Sequence, residues 1–191
     1  MGTKADVEES RFAQGWTLWF DNPSMRRQAN VIHTQQQWIS NLSAIATFSS
    51  IDRFWATYDC ICRPGTEMPI GATYYVFRDH CKPTWEDPAN RGGGQWFTAT
   101  DLSFSEEMDH AWLQLVLAIM SQPEKYNADN AIVGVTMQVR SRQGYRLGVW
   151  CSGEVDDESL LTAGRLLKRY ANYRATMTYQ SWMRGGPQLT V

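Results

Sequence analysis

Residues 131–152 read AIVGVTMQVRSRQGYRLGVWCS, and this stretch decides the fold class. Two apolar, β-branched runs, 131–140 and 145–152, flank the short polar turn Ser141–Gly144. That pattern predicts a β-hairpin. Hairpins pair their strands antiparallel, which favours an α+β fold over a doubly wound parallel sheet. Upstream, Ser103 and Glu106 have capping-box spacing, so a helix is expected from there to about Ser121, ahead of Pro123. Residues 95–100 (QWFTAT), entered through Gly92-Gly93-Gly94, and 73–78 (TYYVFR) read as strands. Ser49 and Asp52 repeat the capping-box spacing before a helix over about 50–61, with Ile51, Phe54, Trp55 and Tyr58 on its apolar side. Residues 39–48 and 12–20 read as two more strands. In the latter, Trp16 and Leu18 share one face and Trp19 takes the other. The segment 21–37 (DNPSMRRQANVIHTQQQ) is a long loop. Downstream, Asp156-Asp157-Glu158 favours a helix start, and that helix reaches about Tyr170 with Lys168 and Arg169 in its last turn. Residues 175–181 read as a final edge strand, followed by the turn Gly185-Gly186-Pro187. The polar residues 1–10 are expected to form a disordered tail, leaving one domain over 11–191.

Composition limits the function. The chain has 191 residues, 43% hydrophobic and 20% charged, which is the profile of a globular domain able to bury a sizeable core. Its net charge is −2. Proteins that coat nucleic acid through backbone charge are normally basic, so nucleic-acid contact here must be local and chemically pointed. The longest apolar run, Ala111–Met120, is too short to span a bilayer and holds Gln114. The first dozen residues lack a secretory pattern, and Asp6 spoils a myristoylation motif. Cys60, Cys62, Cys81 and Cys151 are expected as free thiols, in the cytoplasm or in nucleus and cytoplasm. Nine Trp are unusual for this length. Trp is costly to bury without a partner for its N–H and is a favoured stacking surface.

Three features carry chemistry. Pro83-Thr84-Trp85-Glu86-Asp87 places a Trp beside two carboxylates in a loop. By itself that reads best as a Trp folded over its own loop, although exposed loop residues are often functional. Trp38 follows Gln35-Gln36-Gln37 at the end of the long loop. Arg140, Arg142 and Arg146 lie within seven residues around the hairpin turn, with Trp150 on the return strand. Such a cluster is either a charged, solubilising tip or an anion site, since Arg grips phosphate with a planar fork. Taken together the parts describe one ligand. Two Trp faces hold a flat ring, a carboxylate accepts the N1–H and N2 amino protons of guanine, and the Arg residues hold phosphates. A cationic ring would add ~0.5–2 kcal/mol per Trp to stacking worth ~1–3 kcal/mol per base. A cationic guanine bearing a polyphosphate is the 7-methylguanosine cap of mRNA.

From about Phe12 to Ser181 the sequence resembles translation initiation factor 4E, the mRNA cap-binding family, as a divergent paralogue. The landmarks are Trp16-Thr17-Leu18-Trp19-Phe20, Trp38, Phe54-Trp55, Trp85-Glu86-Asp87, Gly93-Gly94-Gln95-Trp96, Trp112-Leu113 and Val139-Arg140 through Trp150. The succession of spaced Trp residues is more specific than any single motif. The resemblance implies a single domain, a curved antiparallel sheet with about three helices on its convex face and a cap slot on the concave side. It implies that Trp38 and Trp85 stack, Glu86 reads guanine, and the Trp85 N–H meets O6. It further implies that Arg140 binds phosphate, with Arg142 and Arg146 as further candidates, and that Trp150 lies near the N7-methyl group. Four departures stand out. The loop before Trp38 is longer, the Arg140–Arg146 turn has one extra residue, Gln95 stands where many members have a basic residue, and Thr84 replaces a larger apolar one.

A second surface follows from the 103–121 helix. Met108, Trp112, Leu115 and Ile119 form one stripe, and Leu113, Leu117 and Met120 another. A helix apolar on more than one face is fully buried or docks a partner. The resemblance implies a groove of Ile51, Trp55, Leu113, Gln114 and Leu117 for a helical motif from a 4G-like scaffold or a 4E-binding repressor. Gln114 replaces an acidic residue, and Ser10-Arg11 stands in place of His-Pro. The plain alternative makes Trp55 a core residue. Cys60-x-Cys62 and His80-Cys81 have poor zinc spacing, His33 and His110 lack a nucleophile, and adjacent Glu86 and Asp87 are a poor catalytic pair. No enzyme, metal, cofactor, membrane or DNA partner is expected. Two function classes stay open: a cap-binding module that recruits or represses mRNA, and an interaction module of the same fold with weak or lost cap binding.

Overall fold

The computed structural model describes residues 11–23, 42–98, 106–121, 131–141 and 144–191. In chain order the elements are β1 (Arg11–Asp21), β2 (Leu42–Ser50), α1 (Ile51–Tyr58), β3 (Thr73–Arg78), β4 (Gly94–Phe97), α2 (Glu106–Ser121), β5 (Ile132–Ser141), β6 (Gly144–Cys151), α3 (Asp157–Tyr170) and β7 (Gln180–Ser181). The strands make one antiparallel sheet in the order β2-β1-β3-β5-β6-β4-β7. It is a curved open sheet with the three helices on its convex face, an α+β single domain as the hairpin implies.

Period-2 alternation sorts the side chains between the two faces. Trp16, Leu18, Tyr74, Val76, Trp96, Val135, Met137, Val139, Leu147 and Val149 point to the helices and form the main core. Trp19, Tyr75, Phe77, Val133 and Trp150 cluster on the other face. The helices seal the core with stacked aromatics. The Trp112 ring of α2 lies between Tyr58 of α1 and Tyr74 of β3, each 5.9 Å away and nearly parallel. Helix α3 sits close on β4 because Gly164 has no side chain; a Cβ there would meet the Trp96 indole at 2.8 Å. The buried Trp96 N–H is satisfied by the Leu160 carbonyl at 2.8 Å. Those of Trp16 and Trp112 find no acceptor among the described residues.

Several expected boundaries move. Strand β2 is described from Leu42 and runs to Ser50, two residues past the expected end, while residues 39–41 lie outside the described residues. The cap of α1 is Ser50, not Ser49. Its hydroxyl accepts from the Arg53 N–H at 3.4 Å, so the capping spacing is shifted by one residue. Strand β4 spans Gly94–Phe97, starting one residue early and leaving out Thr98, while residues 99–100 lie outside the described residues. The edge strand over 175–181 shrinks to Gln180–Ser181, with a lone bridge between Thr178 and Thr190. Met120 is buried in the main core instead of joining the Leu113–Leu117 stripe. Helix α3 starts where expected, with Asp156 accepting from the Ser159 N–H at 2.8 Å. The capping residue expected at Ser103, the tail 1–10 and most of the 21–37 loop lie outside the described residues.

Candidate functional site

The loop after β3 is a braced arch. The Asn90 side chain is fully buried beneath it. Its amide donates to the carbonyls of Lys82 (2.8 Å) and Thr84 (2.6 Å), and its oxygen accepts from the Cys81 thiol (3.2 Å). Asp87 accepts from the backbone N–H groups of Lys82 and Ala89, both at 3.0 Å, and so caps the short helical turn Pro88–Asn90. Thr84 and Cys81 are buried under the arch. Burial is the main cause that pushes the Cys81 thiol pKa up to about 12, so it stays an inert thiol at neutral pH. The bracing leaves two side chains outside. Trp85 is 58% exposed, and among the described residues nothing bonds the Glu86 carboxylate. Trp85 is therefore offered outward rather than folded over its own loop.

Beside the arch lies the concave aromatic face. Trp150 packs edge-on against Phe77 at 5.3 Å. Phe77 lies flat over Gly134, where a Cβ would clash at 2.3 Å. Further along the same face of β6 is Arg146, opposite Gln138. Its guanidinium lies 4.3 Å over the Phe97 ring, and its Nε finds no acceptor among the described residues. Arg140 occupies the bulge between Val139 and Ser141. Burial first, and then repulsion from Arg140, lower the Arg146 pKa from its ordinary guanidinium value. Two neighbouring cations without a neutralising carboxylate among the described residues are chemically suited to an anion. Unbroken alternation along β6 places Arg146 on the Trp150 face. Trp38 and Arg142 lie outside the described residues.

The family model described as Eukaryotic initiation factor 4E matches residues 11–185. The chain belongs to the initiation factor 4E family. It is 32% identical over 174 residues to initiation factor 4E-1 of Lactuca sativa, covering 91% of this chain and 68% of that protein. Against initiation factor 4E-3 of Arabidopsis thaliana it is 32% identical over 169 residues, covering 88% and 65%. Among solved structures, a C. elegans eIF4E-3 complex with the 4E-binding protein Mextli and cap analog matches at TM-score 0.74 and 26% identity, covering 90% of this chain and 92% of that one. A schistosome eIF4E complexed with m7GpppG and 4E-BP matches at 0.78 and 25%, covering 96% and 100%. The family consists of translation initiation factors, not enzymes.

Within this 4E-family chain, the helical face carries the second candidate surface. Trp55 is 38% exposed, so it is not a core residue. Its ring stands edge-on to Phe54 (5.4 Å) and Tyr58 (5.6 Å), both buried. Ile51, Leu113 and Leu117 are half-buried and pack on the core, and Gln114 is exposed. Two features escape the sequence reading. Asn90 is one, signalled only by the turn-forming Asp87-Pro88 before it. Trp182 is the other. Its ring centroid is 4.5 Å from that of Trp150, at 61°. Gln95 also differs from a phosphate-gripping residue in behaviour, since its amide donates to the Gln180 side chain at 2.9 Å. A cleft of about 260 Å³ adjoins the arch at Ala89, but Arg78, His80, Arg91 and Glu154 line it. It lacks the facing aromatic rings that a flat ligand requires. His80 is exposed while Cys81 turns inward to Asn90, so the adjacent pair diverges.

Proposed function

We propose that this chain binds the 7-methylguanosine cap of mRNA on its concave face and a helical partner segment on its convex face. The observation that carries the reading is the exposed Trp85 next to an unengaged Glu86, on an arch braced by buried Asn90. Trp85 supplies one plate of the ring slot, and Trp38 supplies the other by its family position. Glu86 accepts the guanine N1–H and N2 protons, and the Trp85 backbone N–H meets O6. Trp150 lies beside the N7-methyl group. Arg140 and Arg146, with Arg142 at the tip, take the phosphates. The cap analogs and 4E-binding proteins held by family members of like fold support both halves of the reading.

On the convex face, Trp55, Ile51, Leu113, Gln114 and Leu117 receive an amphipathic helix from a 4G-like scaffold or a 4E-binding repressor. The protein thereby links capped mRNA to initiation or its regulation, acting in the cytoplasm. No described helix is long and apolar enough to cross a membrane. One observation favours a second reading. The Gln95 amide is occupied by Gln180, which removes a phosphate grip and suits an interaction module with weak cap binding.

Quenching of intrinsic Trp fluorescence by 7-methyl-GTP, with GTP as control, separates the two. Saturable quenching with a strong preference for the methylated ligand is expected, and Glu86→Ala should abolish guanine recognition without unfolding the chain. Equal or absent response to both nucleotides would overturn the cap reading and leave the partner groove as the function.

A further inference from the structure

Strand β7 brings an additional indole to the cap face. Its backbone pairs with β4 at Gly94↔Ser181 and Gln95↔Gln180. The main-chain amide of Trp182 then donates to the Gly93 carbonyl at 3.0 Å. Gly93 is bare against β6, where a Cβ would run into the Cys151 carbonyl oxygen, and Gly94 is bare against the C-terminal strand, where one would run into the Gln180 carbonyl oxygen and the Tyr179 ring. Only a bare backbone lets the C-terminal strand come this close. Trp182 lies two residues beyond Gln180, which faces Gln95, and Gln95 stands opposite Trp150. The period-2 rule therefore puts Trp182 on the concave face, and its ring meets Trp150 there. Trp150 is held between Phe77 at 5.3 Å and Trp182 at 4.5 Å. Both Trp rings stay half-exposed.

We infer that Trp182 is a specificity-determining residue of the cap slot, forming with Trp150 an aromatic corner that favours a positively charged ring over a neutral one. The inference rests on the cap reading above. A π face attracts a cation through its quadrupole, and two inclined indoles present two such faces to one methylated, cationic ring edge. Neutral guanine gains stacking but not this term. Trp182 also acts as a positioning residue, since it limits the swing of Trp150.

The test measures dissociation constants of 7-methyl-GTP and GTP for the full chain and for Trp182→Leu and Trp182→Phe. Leu keeps apolar bulk and removes the π face; Phe keeps a ring. Trp182→Leu should weaken 7-methyl-GTP binding about tenfold while GTP changes less than twofold, as the loss of one cation–π partner requires. Trp182→Phe should recover most of the preference. Loss of the Trp–Trp exciton signal in circular dichroism, at an unchanged melting midpoint, would confirm that the pair was removed without unfolding. Retained methyl preference in Trp182→Leu, or equal weakening of both ligands, would overturn the role of Trp182. A full chain with no methyl preference would overturn the cap reading itself, and this inference with it.

Discussion

Replacing Asn90 by Ala tests whether the arch is what presents Trp85. The side chain makes two amide hydrogen bonds to main-chain carbonyls and accepts one from a thiol. Each amide bond contributes about 1 kcal/mol net, and leaving a buried carbonyl unpaired costs about 1–3 kcal/mol. The Thr84 bond is buried and the Lys82 bond partly so. The change should therefore cost about 3 kcal/mol, roughly a 150-fold shift in the ratio of braced to open arch. If the arch opens by itself, that loss falls on the slot and not on the whole domain. Cap affinity should drop at least about tenfold, because binding scales with the fraction of competent arch. Opening of the whole domain would instead lower the melting midpoint by about 6–12 °C. Asn90→Asp is the paired control. It keeps the size but turns a carboxylate toward two carbonyls, so it should be no better than Ala. Hydrogen exchange at the Ala89 and Asn90 amides, thermal melts and 7-methyl-GTP quenching read the three quantities. Wild-type affinity and unchanged amide protection in Asn90→Ala would refute the bracing argument.

Three further outcomes are expected. Trp55→Ala should abolish capture of a helical 4E-binding peptide while cap affinity and melting midpoint stay within error; a large fall in the midpoint would return Trp55 to the core. Native chain should react with a thiol reagent at Cys60 and Cys62 only, and unfolded chain at all four. The buried Cys81 pKa is raised above its unfolded value, so the stability it lends is fully present below about pH 9 and is lost as pH climbs toward about 12. Unfolding midpoints across that window, compared with Cys81→Ala, measure the slope.

Much of the architecture was legible because strand and helix periods differ. Trp16 and Leu18 against Trp19, the 131–152 hairpin and the Asp156 cap all follow from period and turn chemistry. The choice between Ser49 and Ser50 did not, since two adjacent serines satisfy the same local pattern and only the backbone path selects one. Of the proposed site, Trp85, Glu86, Arg146 and Trp150 were picked out from residue type and family position. What escaped was tertiary. Asn90 acts on Lys82 and Thr84 across the arch, and no local rule states which Asn will be buried. Trp182 sits just beyond a two-residue edge strand, too short for alternation to declare its face. Its partner in that arrangement is the glycine run, whose meaning comes from close approach and not from turn geometry alone.

The position of Gln95 joins the two ends of the proposed ligand. Its amide holds the Gln180 side chain, and Gln180 belongs to the strand that carries Trp182. With a net charge of −2 the chain has no general attraction for RNA, so the proposed cap reading assigns phosphate affinity to Arg140, Arg146 and Arg142. Gln95→Arg adds a cation across from Trp150, on the face that carries Arg146. Both 7-methyl-GTP and GTP should then bind more tightly, and the slope of log affinity against log salt should steepen by about 0.7–0.9 for one added phosphate contact. The same change breaks the Gln95–Gln180 bond and loosens the edge that fixes Trp182. Preference for the methylated ring should therefore fall two- to threefold, by an order-of-magnitude reading of one lost neutral hydrogen bond. Tighter binding with undiminished preference would mean that β7 is held by its backbone pairing alone. An unchanged salt slope would mean that residue 95 does not reach the phosphates. The predicted combination, more affinity and less discrimination, follows only if this chain grips the ring with an extra indole where it has given up a charge.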